Sequence, residues 1–142
     1  MKQISGGVTA AKGFCAASTA AGIKYKERKD MALIFSKTPC KAAGTFTTNI
    51  VKAAPVKWDQ KIVAESACAH AVVVNAGIAN ACTGQEGMDY CSQTADHAAE
   101  LLKIPADSVL VASTGVIGMQ LPMERIKDGV SAMVPELSDA NE

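Results

Sequence analysis

Two short segments place glycine and polar side chains directly after an apolar run, where backbone donors could act on a ligand. In the segment Ser113–Gly118, the Thr114 hydroxyl stands beside Gly115, whose backbone N–H no side chain would shield. Two donors aimed at one point stabilise the oxyanion that develops in acyl transfer. The pair is therefore a candidate oxyanion hole, although Thr-Gly is a common dipeptide and these residues alone favour a plain turn.

The other segment, Asn75–Gly87, contains three glycines together with asparagine and threonine side chains. Glycine allows tight turns and a close approach of backbone to a ligand, while Asn and Thr supply donors and acceptors. Neither the G-x-x-x-x-G-K-[ST] pattern nor the G-x-G-x-x-G pattern of phosphate-binding loops occurs in it. A ligand-binding loop and a purely structural connection from strand to helix are therefore both left open.

A nucleophile to match these donors is missing from the sequence patterns. No G-x-S-x-G elbow occurs, which argues against a serine of the α/β-hydrolase type. A Cys–His pair would have to combine Cys82 or Cys91 with His70 or His97, and no local spacing supports such a pair. The sequence thus offers candidate oxyanion donors without a convincing nucleophile.

The cysteines are odd in number and lack C-x-x-C spacing, which predicts reduced thiols without a disulfide framework or a zinc site. His70 and His97 are interpreted as structural or surface residues. We therefore expect no metal and no cofactor. The five cysteines are Cys15, Cys40, Cys68, Cys82 and Cys91.

The elements that must position these segments begin with a β-rich first third. The small residues between Gly13 and Gly22 fit a strand against which other backbone packs closely. The apolar run Met31–Phe35 predicts a strand that ends at a turn signal in Ser36–Pro39. The β-branched and aromatic residues of Gly44–Thr48 predict a further strand.

After Pro55 the pattern alternates helices with strands. A short amphipathic helix is predicted around Trp58–Ser66, and the continuous apolar run Ala69–Val74 predicts a strand buried on both faces. Apolar residues at helical spacing over Met88–Leu102 predict a second helix, and Val109–Ser113 predicts another strand. A last helix is predicted to begin at Pro122.

The order of elements predicts an α/β domain of layered sheet and helices that covers residues 1–142. We expect the last helix to end near Pro135 and the polar tail Ser138–Glu142 to be mobile.

Charge and hydropathy exclude several classes of partner. Lys and Arg total 14 and Asp and Glu total 14, so the net charge is zero and no footprint for nucleic acid or an anionic membrane is present. No run of about 18 apolar residues suggests a membrane span, and the N-terminus lacks the apolar core of a signal peptide. These features predict a cytoplasmic protein.

Taken together, seven segments resemble the ornithine acetyltransferase family of arginine biosynthesis, also called bifunctional glutamate N-acetyltransferase. The segments occur in the family's order, and the resemblance they define extends over nearly the whole chain. They are Val8–Phe14, Lys29–Ile34, Ala43–Asn49, Val51–Val56, Val73–Gly84, Val109–Gly118 and Leu121–Met123.

The resemblance implies an N-terminal-nucleophile-hydrolase-like fold of layered sheets and helices, shared with a class of aminopeptidases. It implies a precursor that cuts itself before a threonine, which becomes the nucleophile at the N-terminus of a second subunit. It also implies transfer of acetyl from N-acetylornithine to glutamate by a ping-pong route, with acetyl-CoA as a co-substrate in some members. The family's Thr-Gly oxyanion hole matches Thr114 and Gly115.

In that family the present chain corresponds to the N-terminal part of the first (alpha) subunit, inactive alone. The expected partner is the beta chain of the same precursor, in a heterotetramer of two alpha and two beta chains. The family's first subunit runs beyond Glu142, through a Thr-Thr-Asp stretch, to the threonine at which it is cut.

The chain also departs from the family pattern. Ala76 and Ile78 replace a serine and an asparagine that the family commonly has, so polar groups near the site are lost. A self-processing aminopeptidase or amidohydrolase of similar fold, and a non-catalytic scaffold, are the alternative functions.

Overall fold

The computed structural model describes residues 5–66 and 68–140, which contain four strands and three helices; two consecutive strands come first, and helices and strands alternate after them. In chain order these are β1 Phe14–Thr19, β2 Met31–Cys40, α1 Ala54–Glu65, β3 Ala69–Asn75, α2 Gly84–Leu102, β4 Val109–Ser113 and α3 Met123–Met133. Short 3-10 turns occupy Val8–Ala10, Ala106–Ser108 and Val134–Glu136. The α/β class is therefore confirmed.

The four strands form one sheet in the order β1-β2-β3-β4. The pairs β1–β2 and β2–β3 are antiparallel, whereas β3 and β4 are parallel. In the parallel register Asn75 lies opposite Ser113, so β3 and β4 end level with each other. Both segments singled out for chemistry consequently leave the sheet at the same end, where the carboxyl ends of β3 and β4 lie.

The helices pack on one face of this sheet and close the main core there. The strands contribute Leu33, Val73 and Val109, and α3 contributes Ile126 and Val130; each of these is at most 3% exposed. Small residues of α2 allow that helix to approach the sheet closely, because alanine side chains keep the layers near each other. They include Ala95 and Ala98, both fully buried.

The prediction that Ala69–Val74 would be buried on both faces is wrong. Along β3 buried residues alternate with half-buried ones, and His70, Val72 and Val74 belong to the half-buried set. The reason is that the three helices cover only one face, and no second layer covers the other within the described residues. The second face keeps apolar side chains that solvent partly reaches.

Two predictions in the β-rich third also fail. The strand Met31–Phe35 does not stop at the turn signal but continues to Cys40 through a register irregularity, which tolerates a residue without an N–H such as Pro39. Gly44–Thr48 forms no strand; its residues are largely exposed, and the Phe46 ring lies over Gly44 instead. Strand propensity alone does not form a strand where no neighbouring strand is available.

The ends of the elements follow local chemistry. The first helix begins at Ala54, earlier than predicted, with Pro55 in its first turn. The second ends at Leu102, where Lys103 adopts a left-handed conformation and donates its N–H to the Ala99 carbonyl. The third ends at Met133 and leads into the 3-10 turn that contains Pro135.

The tail is held in place as far as it is described. Ser138 exchanges two backbone hydrogen bonds with Ala16 on β1, of 2.9 and 3.2 Å. Asp139 forms an exposed ion pair with Lys37 at 3.0 Å. The prediction of a mobile tail did not anticipate these contacts of Ser138 and Asp139, and Asn141 and Glu142 lie outside the described residues.

None of the helices in residues 5–66 and 68–140 combines the length and the apolar character that a membrane-crossing helix needs.

Candidate active site

The two segments that follow β3 and β4 extend the parallel pairing beyond the sheet. The Thr114 N–H donates to the Asn75 carbonyl at 3.0 Å, and the Val116 N–H donates to the Gly77 carbonyl at 3.1 Å. The Ala79 N–H returns a hydrogen bond of 2.9 Å to the Val116 carbonyl. Backbone hydrogen bonds thus join the two predicted segments side by side into one unit, which comprises residues 75–80 and 113–116.

Glycine is required at the point where these segments touch. Gly115 has φ +139°, and a Cβ on it would lie 2.3 Å from the Gly77 carbonyl carbon and 2.6 Å from the Ile78 nitrogen. Gly77 has φ +103°, and a Cβ on it would lie 3.0 Å from the Lys24 Cβ. Both positions combine a left-handed backbone with close contact, so the two segments fix each other's position.

Buried polar side chains hold this unit from inside. The Asn75 side-chain amide donates to the Ile78 carbonyl at 2.9 Å, and the Ser113 hydroxyl accepts the Asn80 N–H at 2.9 Å. Asn75 is 4% exposed and Asn80 is 2% exposed. These side chains satisfy buried backbone groups, which would otherwise be costly to bury.

Asn80 also anchors the start of α2. Its side-chain amide donates to the Gly87 carbonyl at 2.8 Å, and its side-chain oxygen accepts the Thr83 hydroxyl at 2.6 Å. A Cβ on Gly87 would lie 2.6 Å from that same oxygen, so the helix can approach Asn80 only because residue 87 is glycine. The polar residues of Asn75–Gly87 therefore serve the strand-to-helix connection, which had been one of two open interpretations.

Two donors at the carboxyl end of β4 remain unused. Among residues 5–66 and 68–140, no hydrogen bond engages the Thr114 hydroxyl or the Gly115 N–H. Both residues are exposed, although every residue of the preceding strand β4 is buried or half-buried. They can donate to an oxygen atom from outside the chain without giving up an existing bond, as an oxyanion hole requires.

The structure does not assemble a Cys–His pair from the residues considered for one. Cys91 is fully buried, and desolvation, with a contribution from the nearby Asp59 carboxylate, raises the pKa of its thiol to about 12. The His70 ring stacks on Phe35, with 6.4 Å between ring centroids, and its Nδ1 lies 3.2 Å from the Ser36 carbonyl oxygen. These contacts commit both groups to structural roles.

His97 is a surface residue whose Nε2 lies 2.9 Å from the Ser131 hydroxyl, between α2 and α3. Both histidines thus have contacts within the chain, and their interpretation as structural or surface residues stays a prediction. Cys15, Cys40, Cys68, Cys82 and Cys91 are all free thiols. In the part of the chain that the structure describes, no group of three or more His, Cys, Asp and Glu side chains is arranged to hold a metal ion.

A cleft of about 210 Å³ lies directly beside Gly115, and sequence reasoning missed it. Its cationic side is formed by Lys24 and Arg28. The Lys24 Nζ and the Arg28 Cζ lie 5.1 and 5.6 Å from the centroid of the Tyr25 ring. The run of lysine and arginine around these residues is visible in the sequence. No sequence pattern, however, places this run beside the segment Ser113–Gly118. The lining residues are Lys24, Tyr25, Arg28, Asp30, Ala76, Gly77, Gly115 and Val116.

Side chains of α1 hold the outer edge of β4. The Trp58 Nε1–H donates to the Val109 carbonyl at 3.0 Å, and the Asp59 carboxylate accepts the Val111 N–H at 2.9 Å. Burial raises the pKa of Asp59 to about 6, and the hydrogen bond from Val111 acts in the opposite direction. The strand that delivers Thr114 is therefore fixed by β3 on one side and by α1 on the other.

The class of protein follows from comparison with solved structures. Ornithine acetyltransferase from Mycobacterium tuberculosis, solved in complex with ornithine, matches with a TM-score of 0.91 and 44% identity over 96% of this chain and 73% of that chain. A protein from Bacillus halodurans described as arginine biosynthesis bifunctional protein argJ matches with a TM-score of 0.83 and 45% identity, covering 88% of this chain and 65% of that one. The predicted ornithine-acetyltransferase-type fold is confirmed.

The family follows from sequence. The chain belongs to the ArgJ family, whose profile matches residues 15–142. Proteins called arginine biosynthesis bifunctional protein ArgJ are 51% identical over 128 residues in Thermotoga neapolitana and 50% identical over 131 residues in Gloeobacter violaceus. These alignments cover 89% and 92% of the present chain but 32% of each relative, so the chain spans about a third of their length.

Proposed function

We propose that this chain is the N-terminal, alpha-subunit part of an acetyltransferase of arginine biosynthesis, with Thr114 and Gly115 as its oxyanion hole. The proposed reaction moves acetyl from N-acetylornithine to glutamate. The names of the relatives and the ornithine complex of the M. tuberculosis protein support the pathway and the substrate class. The observation that carries the site is the pair of exposed, unused donors at the end of a strand whose continuation is held by backbone hydrogen bonds and by the contact between Gly115 and Gly77.

The proposed chemistry needs a nucleophile that this chain does not supply. In the proposal, the hydroxyl of a threonine at the N-terminus of the partner beta chain attacks the acetyl carbonyl of N-acetylornithine. The carbonyl oxygen becomes an oxyanion and accepts hydrogen bonds from the Thr114 hydroxyl and the Gly115 N–H. The threonine's own α-amine takes the proton of the attacking hydroxyl and passes it to the departing nitrogen. Collapse of the intermediate then breaks the C–N bond, ornithine leaves as the amine, and the threonine carries the acetyl group.

The second half of the proposed reaction reverses these steps with another amine. The amino group of glutamate attacks the acetyl-threonine, the oxyanion forms again at the same donors, and N-acetylglutamate leaves. Acetyl-CoA would enter only as an alternative acetyl donor, and no cofactor takes part. The proposed assembly is a cytoplasmic heterotetramer of two alpha and two beta chains.

Preorganisation is what makes the two donors suitable for this role. Thr114 is held by its N–H bond to Asn75, and Gly115 is held by its contact with Gly77. Donors already in place need no reorganisation when charge develops, and this saves free energy in the transition state but not in the ground state. The proposal therefore assigns Thr114 and Gly115 to turnover and not to substrate affinity.

The two departures from the family pattern fall in different surroundings. The Ile78 side chain is 3% exposed and belongs to the main hydrophobic core, so this substitution adds core packing. Ala76 instead lines the cleft beside Gly115. If the loss of a polar group alters substrate preference, the change therefore acts through position 76.

Measuring products separates this proposal from the related hydrolytic functions. The enzyme assembled with its second subunit is incubated with N-acetylornithine and glutamate, and N-acetylglutamate and free acetate are both quantified. We expect N-acetylglutamate to account for nearly all of the acetyl group that leaves N-acetylornithine. Release of free acetate alone would favour an amidohydrolase, and no turnover of an assembled protein would favour a scaffold.

A further inference from the structure

Asp30 immediately precedes β2, and its carboxylate closes the loop before the strand. One carboxylate oxygen accepts the Ala21 N–H and the other accepts the Ile23 N–H, each at 2.7 Å. The backbone N–H of Asp30 donates to the Thr19 carbonyl at 3.0 Å. Asp30 is only 5% exposed, so these short charge-assisted bonds form away from solvent.

A backbone route connects this residue to the candidate oxyanion donors. The Asp30 carbonyl accepts the Ala76 N–H at 2.8 Å, and the adjacent Asn75 carbonyl accepts the Thr114 N–H at 3.0 Å. Asp30 and Thr114 thus hold the single peptide group between Asn75 and Ala76 from opposite sides. A shift of the Asp30 backbone would be transmitted through residues 75 and 76 to Thr114.

A packing route leads to the same place. The Asp30 carboxylate fixes Ile23, which is 3% exposed, and so places the adjacent Lys24. The Lys24 Cβ lies against Gly77, and Gly77 in turn lies against Gly115. A loss of the Asp30 hydrogen bonds would therefore also loosen the support behind the Gly115 N–H.

From these two routes we propose that Asp30 is a positioning residue for the Thr114 hydroxyl and the Gly115 N–H. This inference rests on the function proposed above. A carboxylate suits the position because its two oxygens accept two N–H groups at once. Asparagine has nearly the same shape, but its NH2 group would face one of those N–H groups and leave that donor buried without an acceptor.

A purely structural role for Asp30 makes a different prediction, and a double-mutant cycle separates the two. The enzyme assembled with its second subunit is prepared as wild type, Asp30→Asn, Thr114→Ala and the double variant. Because a misplacement of about 1 Å can cost roughly 100-fold in rate, we expect Asp30→Asn to lower kcat by about 10- to 100-fold. The KM for N-acetylornithine should change by less than about 3-fold, since the oxyanion donors act on the transition state.

The cycle adds a readout that lost stability would not move. If Asp30 acts through the oxyanion donors, part of its effect is already lost in Thr114→Ala, and the double variant loses less than the product of the two single losses. Ile126→Val is the control for lost core packing, and Asp139→Asn is the control for an altered carboxylate, because Asp139 pairs with Lys37 away from the site. Neither should lower kcat by more than about 3-fold, and each should combine multiplicatively with Thr114→Ala.

Each outcome bears on a defined claim. Unchanged kcat in Thr114→Ala would remove the proposed function itself. A loss in Thr114→Ala, with unchanged kcat in folded Asp30→Asn or a fully multiplicative double variant, would overturn only the role of Asp30. Should Asp30→Asn not assemble, Asp30→Ser takes its place, because a hydroxyl still accepts one N–H. Failure of both to assemble would assign Asp30 to folding and overturn the inference.

Discussion

Backbone groups at the outer edge of β4 are hydrogen-bonded to side chains, whereas two donors at its carboxyl end have no partner within the described residues. Along the edge, side chains of α1 take up backbone groups, with Trp58 bound to the Val109 carbonyl and Asp59 bound to the Val111 N–H. At the end of the strand, the Thr114 hydroxyl and the Gly115 N–H are exposed and engage no other group of residues 5–66 and 68–140.

The contrast teaches which polar groups are available for function. A strand edge whose backbone is capped by side chains is closed to other chains. Donors that stay free at the end of a well-held strand can bind an external oxygen without rearrangement. Changes at the end of β4 should therefore act on turnover, whereas changes at its edge should act on stability.

The largest effect is expected from a substitution at the carboxyl end of β4. Gly115→Ala places a Cβ where the Gly77 backbone already lies, and it does so at φ +139°, a conformation that alanine rarely adopts. We expect the free energy of unfolding to fall by about 3 kcal/mol, combining backbone strain with overpacking. We expect kcat of any assembled variant to fall by at least about 1,000-fold, since both donors move. Denaturant unfolding and steady-state kinetics measure the two effects.

Normal turnover in assembled Gly115→Ala would contradict the contact with Gly77. Gly118→Ala is the matched control, because Gly118 also has positive φ but has open space where a Cβ would stand. It should show a similar kind of backbone strain without displacing Gly77, so its kcat should be far less affected.

A smaller effect, on stability, is expected at the outer edge of β4, where Asp59 lies. The pKa of Asp59 is raised from its ordinary 3.8 to about 6, so between these two pH values the folded state holds a proton that the unfolded state has released. Stability therefore falls as pH rises through this window and does not recover above it. Asp59→Asn removes the cost of the buried charge and keeps an oxygen for the Val111 N–H.

We expect Asp59→Asn to be more stable than wild type at pH 7.5 by about 1 kcal/mol, a value reduced for the partial exposure of the carboxylate. The difference should shrink toward pH 4, where the wild-type carboxyl group is protonated in the folded state. Free energies of unfolding across this pH range test the claim. Equal pH slopes for the two proteins would show that Asp59 does not carry the effect.

Elements with a long apolar pattern could be predicted from the sequence, whereas the pairing of one strand with another could not. The strand Val109–Ser113 was predicted with its observed bounds, because a continuous apolar run next to glycine has few alternatives. Gly44–Thr48 has the right residues for a strand and lacks a partner strand, which no local pattern reveals. The coverage of β3 on one face also depends on other parts of the molecule.

The same limit applies to the candidate site. Thr114 and Gly115 could be proposed from residue types and from the family resemblance. Their support could not, since it depends on the parallel register that sets Asn75 opposite Ser113. Asp30 had entered only as part of the matching segment Lys29–Ile34, because an aspartate in a run of charges looks like a solvated surface residue until its two backbone partners are seen.

The most direct test of the central claim is the turnover of Thr114→Ala in the enzyme assembled with its second subunit. Removing one oxyanion donor typically costs about 100- to 1,000-fold in kcat, or roughly 3–4 kcal/mol. We expect a loss of that size with a nearly unchanged KM for N-acetylornithine, and substantial recovery in Thr114→Ser, which keeps the hydroxyl. Near wild-type kcat in folded, assembled Thr114→Ala would contradict the assignment and leave Thr114 as a turn residue.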